Sequence, residues 1–297
     1  MLNLQVMKRA FFFCFFCLGI ASLVKAASPV AFTFLTVSPS ARGAALGEAM
    51  TAVGGDVSSA FWNPALLLST KGSTFSAQEN FFIQGSDHTF LSFGIKQTKW
   101  GAGASLNFRH IGDLELRQGP SSQPLGTFSE DEVALNIGFA YAVTPTLSAG
   151  VSGKGLYQKL EAYGKRGLAF DLGVAYRPNN RLNFGASVLN AGPDFKLVSE
   201  PSRLPLVFRT GASFLWREIL FTSDALFPRG DGAKTGWGVE RSIRNLTLRA
   251  GYQTGHDEKN FSAGLGVTYR NFRLDYAFVP YQSDLGSAHR FGIVGEL

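Results

Sequence analysis

The residues with the best chances of doing chemistry are few. Glu130-Asp131-Glu132 puts three carboxylates in a row, His110 stands near Asp113, and His256 abuts Asp257. A carboxylate run could bind Ca²⁺, and a His beside an Asp could move protons. Neither reading gathers the rest of a site. No ladder of oxygen ligands surrounds 130–132, which reads as a solvated loop, and no nucleophile accompanies either histidine. The four histidines, at 88, 110, 256 and 289, lack metal-ligand spacing. Gly101-Ala102-Gly103-Ala104-Ser105-Leu106 begins like a dinucleotide fingerprint. It lacks the third glycine and a following helix, so it reads as a small-residue strand. The expectation is therefore a protein that is not an enzyme, with no metal and no cofactor.

The only two cysteines are Cys14 and Cys17, both in the first twenty residues. That stretch has the build of a secretory leader: basic Lys8 and Arg9, a Phe-rich apolar core from Phe11 to Val24, and small residues at Val24 and Ala26. Cleavage after Ala26 would leave a mature chain without cysteine. Disulfide stapling, thiolate catalysis and Cys-ligated metal would then all be excluded. Losing Lys8, Arg9 and Lys25 lowers the formal charge of +6 by three. The remainder is too small and too dispersed for a nucleic-acid surface.

Gly (34 residues) and Phe (27) are abundant, in short alternating runs. That is the composition of a membrane β-barrel. Past residue 72 the chain alternates with period two and breaks at turn residues. From 133 to 141, Val133, Leu135, Ile137, Phe139 and Tyr141 share one face, while Ala134, Asn136, Gly138 and Ala140 share the other. About fourteen such runs can be counted, twice the number in a sandwich domain and even, as a single-chain barrel requires. Trp100, Tyr141, Tyr157, Tyr176, Trp216, Tyr269, Tyr276 and Tyr281 sit near run ends, suiting either interface girdles or ordinary strand-end packing. Charge in mid-strand is costly against lipid. Arg109, Lys154, Asp171, Arg209, Asp224, Glu240, Arg249, Asp275 and Arg290 are accordingly expected to face the interior, paired or meeting Arg42 or Asp56. Arg117–Glu132 and Asn190–Leu204 read as long loops on the outer face.

Ala41–Leu66 differs from everything after it. Small residues run through it, and Ala44–Ala52 could form a short helix. Asp56 follows two glycines and could cap a further turn. Pro64 pushes Asn63 out of helical geometry. Arg42, Gly47, Ala49, Ala52, Asp56 and Trp62-Asn63-Pro64-Ala65, at these spacings, resemble the N-terminal signature of the PorV/PorQ family of outer-membrane proteins. The Asn-Pro-Ala triplet also resembles the hatch of FadL-type transporters. Two departures stand out: Leu46-Gly47-Glu48-Ala49 replaces the family's Met-Gly-Gly-Ala, and the chain ends Val294-Gly295-Glu296-Leu297 without a terminal aromatic.

The resemblance implies a signal peptide (1–26), a hatch (27–72) and a transmembrane antiparallel barrel of about fourteen strands (73–297) in a Gram-negative-type outer membrane. It assigns the nine signature residues a structural role in the hatch. It also implies type IX secretion, with outer-membrane lipid and a translocon or secreted cargo as partners. PorV-like members bind the C-terminal signal domain of cargo and accompany it to the cell surface. A FadL-like transporter would instead need a hydrophobic ligand in an apolar pocket, for which Phe61, Trp62, Leu66 and Leu67 are candidates. A porin-like structural barrel is the third possibility.

Overall fold

The computed structural model describes residues 30–82, 86–117, 119, 123–161, 163–197, 200–282 and 286–297. The expected leader, 1–26, lies outside the described residues. The wall comprises β1 (Ser73–Phe81), β2 (Ser86–Lys96), β3 (Trp100–Leu116), β4 (Gly126–Ala142), β5 (Leu147–Leu160), β6 (Tyr163–Tyr176) and β7 (Leu182–Ala191). After a small side hairpin, β8 (Phe195–Leu197) and β9 (Glu200–Ser202), it continues through β10 (Val207–Trp216), β11 (Ile219–Pro228), β12 (Lys234–Ile243) and β13 (Leu246–Thr254). It ends with β14 (Phe261–Tyr269), β15 (Phe272–Pro280) and β16 (Ser287–Glu296). Fourteen of these close an antiparallel barrel in which β1 pairs with β16. Closure leaves no strand with a wholly unpaired edge.

Alternation decides what each strand presents. On β4, Leu135, Ile137, Phe139 and Tyr141 are exposed, whereas Ala134, Asn136 and Ala140 are buried. The same rule gives an apolar outer band through Leu91, Phe93, Leu168, Phe170, Leu172, Leu248, Leu265 and Leu274. One end of the barrel has short connections, including the two-residue turns 217–218, 244–245 and 270–271. Arg217, Arg244 and Arg270 take positive φ there, as tight hairpins demand. Trp100, Tyr141, Tyr176, Trp216 and Tyr269 gather at this end. Longer connections lie at the opposite end, which is the pattern of periplasmic turns and outer loops.

Two sequence expectations fail here. Arg117–Glu132 is not one loop: Gly126–Glu132 belongs to β4, paired with β3 and in part with β5. This extension carries polar residues on both faces, so it shows no apolar alternation. Glu130, Asp131 and Glu132 are thus strand residues, with Glu132 buried against Arg109. The helix expected over Ala44–Ala52 is only Ala41–Ala45, which we call α1. Gly47 and Glu48 at φ +61° and +57° end it.

Residues 30–72 thread the bore. They form α1, three short 3-10 turns (Thr33–Thr36, Val57–Phe61 and Pro64–Ser69) and linking turns. Nearly every residue from Ser38 to Leu68 is buried.

Candidate functional site

The plug and its seat are joined by many buried polar contacts. Ser40 starts α1 by accepting the Gly43 N–H at 3.0 Å. This aims Arg42 at the wall. Arg42 donates to both carboxylate oxygens of Glu240 on β12, at 2.8 and 2.7 Å, and to the Gly54 carbonyl at 2.9 Å. Glu240 also accepts Arg249 at 2.6 Å, and Arg249 reaches Asp275 at 2.8 Å. Asp275 pairs with Arg273 at 2.7 Å, Arg273 with Asp56 at 2.6 Å, and Asp56 lies 3.9 Å from Arg42. Three guanidinium and three carboxylate groups thus close a ring of ion pairs. Two members come from the plug and four from β12, β13 and β15. Bidentate, charge-assisted bonds of this kind fix geometry as well as contributing energy.

Asp56 does a second job. Its other oxygen accepts the Ser58 N–H at 3.0 Å, capping the Val57–Phe61 turn. Burial would raise its pKa. Arg273 and Arg42 outweigh that and hold it below the usual carboxylate value. Glu48 follows the same logic: burial raises it, but Lys259 at 2.7 Å, with Arg290 and Arg209, brings it down to about 2.

A second clamp sits on β10 and β11. One oxygen of Asp224 accepts the N–H groups of Met50 and Thr51, each at 3.0 Å, and the Thr51 hydroxyl at 2.6 Å. Arg209 pairs with Asp224 at 3.0 Å and donates to the Glu48 carbonyl at 2.6 Å. Thr222 and Ser213 hydroxyls donate to the carbonyls of Ala49 and Ala52. The small side chains at 49 and 52 let the wall reach the plug backbone directly. Gly47 lies so close to β12 and β13 that a Cβ would stand 2.7 Å from the Trp237 carbonyl oxygen. Its positive φ independently favours glycine.

The Trp62–Ala65 segment supplies the third anchor. The Asn63 amide donates to the Thr51 carbonyl at 3.0 Å and the Val174 carbonyl at 2.9 Å. Its oxygen caps the Ala65 N–H at 3.1 Å, with Pro64 at the first position of the turn. Ser187 donates to the Trp62 carbonyl at 2.7 Å. Gly185 of β7 leaves room for the Thr51 carbonyl where any Cβ would collide.

All nine signature residues therefore lie in the plug, and each touches the wall or shapes the backbone that does. The four apolar candidates divide between clusters. Trp62 packs with Leu46, Met50 and Val53, and half-buried Phe61 leans on that group. Leu66 lies against Ala175, and Leu67 against Val57 and Ala140. Phe61 and Leu67 border an internal cavity of about 10 Å³.

The mid-strand charges turn inward; Arg109, partly exposed, stands opposite buried His88 and Glu132 and pairs with Glu132. Lys154 meets Asp171 at 2.9 Å, and Arg290 donates to the Ser38 carbonyl. Sequence reasoning missed Arg273 and the amide partners Gln78 and Asn80, which bond the Ala41 N–H and the Pro39 carbonyl. Arg273 stands two residues from Asp275 on one face of β15, and that spacing was the available signal. Among the described residues no three His, Cys, Asp or Glu side chains converge as a metal site.

A closed strand wall with a greasy exterior and a bonded plug defines an outer-membrane barrel of the hatch-bearing class. The chain matches the family described as type IX secretion system protein PorV over residues 24–217, and it belongs to that family. No curated protein matches it in sequence. Among solved structures it is similar to the Pseudomonas putida toluene transporter TodX, at TM-score 0.63 and 14% identity, covering 92% of this chain and 98% of that one. The CymD monoaromatic hydrocarbon channel gives 0.63 and 12%, covering 90% and 99%. A Pseudomonas aeruginosa FadL homologue gives 0.56 and 11%, covering 90% and 98%. At these identities the likeness is one of fold.

Proposed function

We propose that this barrel is a type IX secretion component that holds secreted cargo at the outer membrane, reached through a cleaved signal peptide. The observation that carries this reading is the plug. Its ring of ion pairs and its backbone anchors hold it against the wall, and the cavity that Phe61 and Leu67 border is about 10 Å³, room for no more than a water or so. A bore filled in this way suits a protein that binds partners at its outer rim better than one that passes solutes. The nine plug residues hold the platform rigid, and cargo contact falls to the loop-bearing end. The signal domain at the cargo's C-terminus is the partner that family membership suggests.

The test is deletion of the gene followed by analysis of secreted and periplasmic proteins. Proteins bearing C-terminal signal domains should accumulate in the periplasm and return to the surface on complementation. Unchanged export would overturn the proposal. The competing reading, uptake of hydrophobic small molecules, draws on the fold shared with TodX and CymD. It requires a tunnel past Phe61, Trp62, Leu66 and Leu67. Uptake of a monoaromatic hydrocarbon that depends on this gene would favour it.

A further inference from the structure

The barrel is closed in its pairing order but not along its whole height. β6 begins at Tyr163, yet its ladder to β7 begins only at Phe170, opposite Ala191. From Tyr163 to Ala169 the strand pairs with β5 on one side and, among the described residues, with nothing on the other. A bulge causes the split. Leu172 faces Val188 while Phe170 faces Ala191, so β7 carries one residue too many, and Asn190 takes φ +61°. The bulge is clamped from inside. Asp171 accepts the Asn190 N–H at 2.8 Å, and Lys154 donates to the Asn190 side-chain oxygen at 2.6 Å and to Asp171 at 2.9 Å. All three residues are buried. A polar cluster this well bonded marks the split as a built feature.

The direction of the free groups follows from two contacts. The Leu168 carbonyl points at Gly192, on the β7 side, whereas the Arg177 N–H donates to Thr146, on the β5 side. Backbone groups alternate along a strand, so Gly164 and Arg166 aim their N–H and C=O at the vacant side. The outward faces of Leu168, Phe170 and Leu172 are exposed and apolar, and the next outward side chain is Arg166. An unpaired cation marks the end of the hydrocarbon, so the vacant edge stands at the loop-bearing, cell-surface rim. An open apolar groove of about 760 Å³ wraps it, running from Leu135, Tyr157 and Leu168 outside to Pro193 and Leu204.

We infer that this edge is a docking site for one extended strand of a protein partner, which completes the β6 ladder and seats alternate apolar side chains in the groove. A lipid chain would fill the groove but leave the backbone groups of Gly164 and Arg166 unmatched. A strand satisfies both. Charge argues for an acidic one. The β5–β6 hairpin carries Lys159, Lys165 and Arg166 beside Glu161; Lys159 stands across the ladder from Asp131 of β4, and none of the three cations has an ion-pair partner among the described residues. The inference rests on the reading that the rim receives a protein, and it adds where and how.

The experiment uses the full mature chain in phosphatidylethanolamine–phosphatidylglycerol vesicles. The probes are synthetic peptides Val-Glu-Val-Glu-Val-Glu and Val-Lys-Val-Lys-Val-Lys. The glutamate peptide should slow amide exchange at Gly164 and Arg166 at least about tenfold, and the lysine peptide should not. Arg166→Pro removes one vacant N–H without touching the β5 ladder. It should abolish the slowing at Gly164 while the barrel keeps its folded mobility in electrophoresis. Arg166→Ala should keep the slowing with affinity weakened about threefold, the size of a rim charge effect. No slowing by the glutamate peptide overturns the inference, as does equal slowing by both peptides. So does slowing without peptide, whether from lipid alone or from rising chain density, which would signal a second copy. An Arg166→Pro strain that still exports cargo would sink this edge and leave the secretion role standing. Export lost in the gene deletion but kept in Arg166→Pro separates the two.

Discussion

At the residue scale, the plug is held by groups whose partners cannot be spared. Arg42→Ala would leave Glu240 buried with one cation fewer and Asp56 with Arg273 alone. Breaking a buried pair costs about 3–5 kcal/mol, and the loss should appear as a lower denaturant midpoint for plug release, followed through Trp62 fluorescence. Arg42→Lys should recover part of it, because an ammonium lacks the fork that grips both Glu240 oxygens. Asn63→Ala should cost about 2–4 kcal/mol by stranding two buried carbonyls and uncapping the Ala65 turn. Glu48 gives a pH dependence. Its native pKa of about 2 lies below its ordinary 4.5, so its pairing stabilises the plug fully above that value. That stability should be lost as pH falls from about 4.5 to about 2. Glu48→Gln should remove this part of the acid sensitivity while leaving the part due to Asp56, read as protease nicking of the plug against pH.

At the element scale, strands and plug meet through close backbone approach. Gly185→Val places a side chain where the Thr51 carbonyl sits. The barrel should still assemble, because β7 loses no ladder bond, but the plug should seat poorly and bilayer recordings should show conductance absent from wild type. The wall elements were legible because two-residue alternation repeats through β1, β4 and β13 whatever they pair with. α1 was shorter than its composition suggested, since nothing local announces that Glu48 takes positive φ to reach Lys259. The first part of β4 was hidden for a different reason. Beyond the bilayer neither face needs to be apolar, so Gly126–Glu132 carries strand geometry without a strand pattern. The Asn190 bulge was equally silent, because it exists only in the mismatch between two strands.

At the scale of the whole molecule, inward charge was legible from cost alone: a mid-strand arginine has nowhere else to go. Its partners were not, because Arg42 and Glu240 stand 198 residues apart. The plug and the wall are complementary halves of one neutral interior. Deleting residues 31–66 while retaining the leader should therefore leave an open, charged bore in which Arg209–Asp224 and the Glu240–Arg249–Asp275–Arg273 chain keep only their wall partners and lose every bond to the plug. Such a barrel should conduct ions and unfold at a lower temperature than wild type, both measurable after purification from outer membranes.

The seam between the first and last strands bears on how the protein is made. Thr74 finds Glu296 across 222 residues, the most distant pair in the β1–β16 ladder, and distant contacts form slowly. Until that zipper shuts, the hoop is an open band, and Val30 to Thr70 must already be lying within it. Once shut, there is no side door through which so bulky a segment could be threaded. The front of the chain is therefore in place while the rest is wound around it. Faults introduced early in the sequence should slow closure, and the barrels that do close should leak.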